Sequence, residues 1–122
     1  MIQKLEITGV HTVLDDDLKK YVTKKIGKLD LYMSRHTKQS AHAEVKLKEA
    51  NLKQRKQATC EVIMHLPHGT LMTKETTLNM YAAVDIVEAK LKNQLKKYKE
   101  THESNRLHKR IIRRLKRTSQ EV

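Results

Sequence analysis

The chain has no phenylalanine and no tryptophan, one cysteine, one proline and three glycines among its 122 residues. Without Phe or Trp, and with only four tyrosines, a core must be built from Leu, Ile, Val, Ala and Met. The lone Cys60 excludes an internal disulfide and a multi-cysteine zinc site, a usage that suits a reducing compartment. No apolar run approaches the roughly 18 residues of a membrane span. The opening Met1-Ile2-Gln3-Lys4-Leu5-Glu6 also lacks the basic-then-apolar layout of a secretion signal. Glycine-rich phosphate loops and nucleophile elbows are missing as well. We therefore expect a cytoplasmic chain that is not an enzyme, with no cofactor, no metal, no small-molecule substrate and no membrane partner.

Charge is what the chain has in excess. Lys and Arg number 26 against 14 Asp and Glu, a net charge of +12 and a pI near 9.9. Such a field attracts polyanions without saying which. At 122 residues there is room for one compact domain.

Hydrophobic periodicity outlines that domain. Leu5 and Ile7 alternate with Lys4, Glu6 and Thr8, a short first strand ended by Gly9. Leu18, Val22, Ile26 and Leu29 then recur at helical spacing behind an Asp15-Asp16-Asp17 cap, predicting a helix over 16–32 that Gly27 weakens. Period two returns at Ala41, Ala43, Val45 and Leu47, and again at Ala58, Cys60, Val62 and Met64, a hairpin with Cys60 facing inward. Leu66-Pro67-His68-Gly69 predicts a tight turn into a weaker strand over 70–76. From Met80, through Val84, Val87, Leu91 and Leu95 to Tyr98, a helical stripe runs behind the capping candidates Thr77 and Asn79. The order β-α-β-β-β-α makes an α+β fold, two helices on one face of a four-stranded sheet.

On helical wheels Lys20, Lys24 and Lys28 form a row opposite the first helix's apolar stripe, with Lys25 beside that stripe. The second helix carries Lys90 and Lys97 on one flank and Lys92, Lys96 and Lys99 on the other. Side by side, the helices would offer a cationic plate that engages phosphates with little base discrimination. The competing reading is a solvated face, helped by Glu88 pairing with Lys92 at i,i+4. Few rings interleave these lysines, which argues for recognition by shape and backbone over base stacking. Among the seven histidines, His65-x-x-His68 is the only close pair, and it has no third ligand at metal spacing.

The last 22 residues form a basic tail in which Leu107, Ile111 and Leu115 share a narrow arc. Arg106, Lys109, Arg110, Arg113, Arg114, Lys116 and Arg117 lie opposite. Too short for a stable isolated helix, it is expected to order on a partner or to stay frayed. The expected division is a domain over 1–100 and an amphipathic or disordered tail over 101–122.

The segment Asn79-Met80-Tyr81-Ala82-Ala83-Val84-Asp85 resembles the D-M-Y-A-A-I-D motif of the ribosome hibernation factors, a family that includes the short hibernation-promoting factor and the ribosome-associated inhibitor. Ile7-Thr8-Gly9, Leu18 to Val22 with Lys25 and Leu29, Lys90-Leu91 and Gln94-Leu95-Lys96-Lys97 also look like family positions, so the resemblance spans residues 4–99. It implies a fold close to double-stranded-RNA-binding domains and a partner in the small ribosomal subunit. Its ribosomal RNA would be met in the channel that mRNA and tRNA use. It assigns RNA contact to Lys25, Lys28, Lys90, Lys96, Lys97 and Lys99, beside the wheel-derived Lys20 and Lys24 and the tail's Arg110, Arg113 and Arg114. The chain departs from the family at Asn79, where an acidic residue is usual, at Asn93, where a basic one is common, and in its basic tail. The long form's dimerising domain has no room here, which leaves ribosome dimerisation through it unsupported, and the free chain is expected to be a monomer. Modulation of a sigma factor and peripheral membrane binding through the tail are the alternative functions.

Overall fold

The computed structural model describes residues 1–52 and 55–102. Alternation builds its sheet. β1 (Lys4–Val10) turns Leu5 and Ile7 inward. β2 (His42–Leu52) buries Ala43, Val45 and Leu47, and β3 (Arg55–Leu66) buries Ala58, Cys60, Val62 and Met64. β4 (Gly69–Thr77) completes the order β1-β2-β3-β4, with β1 parallel to β2 and the other pairs antiparallel. Val45 is registered against Ile7 on one side and Val62 on the other, which sets three strands' apolar residues on one face. The β3–β4 hairpin closes Leu66 on Gly69, whose φ of +157° a side chain would strain. The strand that follows is longer than expected and pairs with β3 along its whole length.

A parallel step needs a crossover, and the residues between β1 and β2 supply it. α1 (Asp16–Gly27) is capped by Asp15, whose carboxylate accepts from the Leu18 N–H at 2.7 Å. The helix expected over 16–32 is α-helical only to Gly27 and tightens into a 3-10 turn over Lys28–Tyr32. The Gly27 carbonyl accepts from the Ile2 N–H at 3.0 Å, and the Met1 ammonium pairs with Asp30 at 3.0 Å, so the N-terminus grips this turn. A Cβ on Gly27 would stand 3.3 Å from Met1 Sδ, a tight contact that the Met1 side chain would have to yield to. A short helix absent from the periodicity, α2 (Arg35–Ser40), follows; Ser34 caps it through the Thr37 N–H at 3.2 Å.

α3 (Met80–His102) is the long helix, running two residues past the boundary expected at 100. Asn79 caps it by accepting from the Tyr81 N–H at 2.8 Å. Met80, Ala83, Val84, Val87, Leu91, Leu95 and Tyr98 face inward onto β3, β4 and α1. Ile26, Leu47, Leu91 and Leu95 are among the largest fully buried side chains, each contributing about 1.5–3 kcal/mol of transfer free energy. The core therefore lies between the sheet and its helical layer, leaving the opposite sheet face open among the described residues. The tail helix expected around residues 106–117 lies outside those residues.

Candidate nucleic-acid interface

α1 and α3 are clasped by side chains of the motif that begins α3. Met80, Ala83 and Val84 serve the core, whereas Tyr81 and Asp85 reach α1. Tyr81 meets Tyr21 edge to face at 4.9 Å between ring centroids. The Tyr21 hydroxyl donates to the Asp85 carboxylate. That hydrogen bond, aided by burial and by the charges of Asp85 and Glu88, pushes the Tyr21 phenol up to about 12. Lys25 spans the same seam, 3.7 Å from Asp85, 3.6 Å from Glu88 and 5.6 Å from the Tyr21 ring centre. Glu88, which the competing reading of a solvated face paired with Lys92 along its own helix, pairs across to Lys25.

With Glu88 turned away, Lys92 lies over the Tyr32 ring at 5.2 Å, and Lys96 lies over it at 5.8 Å. Tyr32 belongs to the 3-10 turn and lines a groove of about 400 Å³ between that turn, α1 and α3, whose other wall includes Lys24 and Lys28. Leu31 at its edge is 70% exposed. Lys24 and Lys28 line the groove beside Lys25 and Glu88, and Lys92 and Lys96 flank its Tyr32 ring from α3, so four ammonium groups besides Lys25 gather in one region. Among the described residues, none of the four has a carboxylate within ion-pair distance. The arrangement suits phosphates tracking along a ridge.

The sequence-derived lysines divide into three sets. Lys24, Lys28 and Lys96 come together at the groove, with exposed Lys20 and Lys99 beyond it. Lys25 is held by the two carboxylates of the seam. Lys90 pairs with Glu75 of β4, so it and the exposed Lys97 occupy the flank away from α1. Arg110, Arg113 and Arg114 lie outside the described residues. Lys92 and Tyr32 were not among the candidates. The wheel already placed Lys92 on the Lys96 flank, but the meeting with Tyr32 joins residues 60 or more apart, which spacing along the chain does not display.

The remaining candidates separate. His65 lies on the open sheet face, its Nε2 3.3 Å from Glu44, whereas His68 sits in the β3–β4 turn. The His68 N–H donates to the Tyr98 hydroxyl at 3.0 Å, and its ring stacks on His102 at 5.1 Å. Cys60 is fully buried, and burial pushes its thiol up to about 12, so its thiolate is suppressed at neutral pH.

The fold and groove define a small α+β domain whose helical layer is clasped by the Tyr81–Asp85 motif and edged with uncompensated lysines. Residues 5–103 match the model of the sigma 54 modulation protein / S30EA ribosomal protein family, and the chain belongs to that family. It is 34% identical over 96 residues to a ribosome hibernation promotion factor of Lactococcus lactis subsp. cremoris, covering 79% of this chain and 49% of that one. To the ribosome hibernation promotion factor of Staphylococcus aureus it is 31% identical over 96 residues, covering 79% and 48%. The chain thus spans about half the length of these curated relatives. Among solved structures, the N-terminal domain of Thermus thermophilus Protein Y aligns with a TM-score of 0.60 at 25% identity, over 76% of this chain and 94% of that one. A ribosomal subunit interface protein from Coxiella burnetii shares the fold, with a TM-score of 0.64 at 20% identity over 80% and 99%.

Proposed function

We propose that this chain is a non-enzymatic, cytoplasmic ribosome hibernation factor that inhibits translation by occupying the small subunit. It docks the α1–α3 face on ribosomal RNA in the channel of mRNA and tRNA and excludes both by steric occupation. Family membership and the naming of its relatives support a ribosomal partner. The observation that carries the choice of surface is the lysine cluster at Tyr32: Lys24 and Lys28 line the groove there, Lys92 and Lys96 lie over the ring, and Glu88 of the same groove is taken by Lys25, so none of the four has a carboxylate within ion-pair distance among the described residues. Lys20 and Lys99 extend this face, Lys90 and Lys97 add a weaker flank away from α1, and Arg110, Arg113 and Arg114 add contacts from the tail.

Cosedimentation with purified small subunits across a salt series tests the reading. With about six phosphate contacts, affinity should fall on the order of a thousandfold between 50 and 200 mM salt. A flat salt response, or no cosedimentation at the lower salt, overturns it. The family's description also names sigma 54 modulation; binding to isolated sigma factor in place of the subunit would put transcription ahead of translation.

A further inference from the structure

On the sheet face away from the helices, three strands gather four side chains that carry metal-ligating atoms. The parallel register places Glu6 of β1 beside Glu44 of β2, and the antiparallel register places His42 of β2 opposite His65 of β3. All four alternate with inward neighbours, among them the buried Ala43, Val45 and Met64, so the pleat turns them to the open side together. Potential ligand atoms of Glu6, His42 and Glu44 lie within 4.8 Å of one another. His65 Nε2 is 3.3 Å from Glu44 Oε2, His42 Nε2 is 3.9 Å from Glu6 Oε1, and the two imidazole rings are 5.5 Å apart.

We propose that Glu6, His42, Glu44 and His65 form a binding site for a late first-row divalent cation, with Zn²⁺ as its ligand. Two imidazole nitrogens and two carboxylate oxygens make a borderline donor set that suits Zn²⁺, whereas Mg²⁺ and Ca²⁺ take oxygen ligands in larger number. Tetrahedral coordination at zinc's usual bond lengths spaces ligand atoms about 3.3 Å apart. The His65–Glu44 pair already has that spacing. The other pairs close by rotating side chains that are a third to three-quarters exposed, so little packing resists them. Two carboxylates offset the cation's charge. The neighbouring cations are Lys4, registered against His42, and Lys46, which faces Glu61 across β3; they moderate affinity without occupying the site.

A bound ion would tie three strands at one end of the sheet, including the single parallel step between β1 and β2. Ligand binding to the folded state alone raises its stability. Melting of the full chain should therefore shift upward with Zn²⁺.

The test titrates the full chain with Zn²⁺ by calorimetry, with Co²⁺ as a spectroscopic substitute and Mg²⁺ as competitor. One saturable site per chain is expected, with the visible bands of tetrahedral cobalt and no competition from Mg²⁺. His42→Ala, His65→Ala and Glu44→Gln should each weaken Zn²⁺ binding by at least about tenfold, since even outer-shell losses cost that much. They should also abolish the Zn²⁺-dependent rise in melting temperature. The double substitution His68→Ala with His102→Ala, at the stacked pair beyond the turn, should leave both intact. The same four side chains would serve as plain cross-strand ion pairs without a metal. In that case zinc produces no saturable isotherm and no shift in melting, which overturns the proposal. Equal competition by Mg²⁺ also overturns it, as does binding lost in the His68/His102 variant but kept in His42→Ala and His65→Ala. Circular dichroism confirms that each variant is folded; if one alanine variant unfolds, Glu44→Gln decides the matter by the same isotherm.

Discussion

The helical face and the open sheet face both carry lysines, but they treat them differently. On the open face, strand register sets Glu61 of β3 between Lys46 and Lys74, so unlike charges alternate across three strands, an arrangement worth about 0.2–1 kcal/mol per pair although neither lysine comes within ion-pair distance of Glu61 among the described residues. On the helical face Asp85 and Glu88 of α3 are drawn into the seam by Lys25 and Tyr21, and among the described residues Lys24 and Lys28 in the groove and Lys92 and Lys96 over the Tyr32 ring have no carboxylate within ion-pair distance. Alternating signs neutralise locally and support the fold. Clustered like signs cost some self-repulsion and condense anions, with counterion release as the driving force.

The contrast breaks most sharply under charge reversal. Lys24→Glu with Lys96→Glu should weaken small-subunit binding more than about a hundredfold and flatten the salt slope by about two units, one per lost phosphate contact. Lys46→Glu with Lys74→Glu changes net charge equally on the sheet face and should alter binding less than about tenfold. Its cost falls on stability, since Glu61 would then face two like charges. Equal losses in the two doubles would mean that total charge, not the groove, governs binding. Lys90→Glu with Lys97→Glu sharpens the comparison within α3. Lys90 already has Glu75 as a partner on the flank away from α1, so a loss of about tenfold is expected in the same assay.

Much of the fold was legible because strands and helices leave different periods. The alternations through Ala43–Leu47 and Ala58–Met64, and the stripe from Met80 to Tyr98, correspond to buried faces. α2 escaped notice because only Thr37 of its six residues is buried, leaving Ser34 as a cap with no apolar stripe behind it. The end of α1 was misplaced because Leu29 keeps its inward position whether the backbone is α or 3-10, so the pattern is blind to the change at Gly27. The site was legible by face but not by partner. A wheel assigns lysines to flanks, yet whether Glu88 meets Lys92 or Lys25 depends on how two helices lie together. Histidine spacing misled for the same reason. His65 and His68 are neighbours in sequence but point to different regions, whereas strand register brings His42 to His65 from 23 residues away.

Smaller effects separate the helical face from what lies beyond or beneath it. A chain ending at His102 keeps every residue of the core, so it should fold, and it should still exclude tRNA. It loses the basic tail, and binding should be several-fold weaker with a shallower salt slope, again about one unit per phosphate contact. An unchanged slope would assign all contacts to the helical face. Cys60, on the inner side of β3, should resist a disulfide reagent at neutral pH in the native protein, because burial holds its thiol near 12. Cys60→Ala should leave binding unchanged and cost about 1 kcal/mol in denaturant unfolding, the scale of a small deletion in a close-packed core. Weaker binding by a folded Cys60→Ala chain would couple the core to the groove.

The smallest expected effect concerns the seam that holds the groove's two walls together. The Tyr21 phenol, raised from 10.0 to about 12, binds its proton more tightly in the folded chain than in the unfolded one. Its stabilisation is therefore fully present below pH 10 and is lost as pH rises through 12. Tyr21→Phe keeps the ring against Tyr81 and removes only the hydroxyl that donates to Asp85. At neutral pH the variant should lose about 0.5–1.5 kcal/mol, the net worth of one hydrogen bond. Denaturant unfolding at pH 8 and pH 11 checks the origin of that loss: the gap between wild type and Tyr21→Phe should narrow at the higher pH, because the unfolded chain's phenol gives up its proton there while the folded one still holds it. Asp85 retains Lys25 in the variant, so the helices should stay clasped and small-subunit affinity should change less than about threefold. A gap that stays constant with pH would show that the hydroxyl acts through packing and not through its proton. A large loss of binding would show that the seam sets the geometry of the groove.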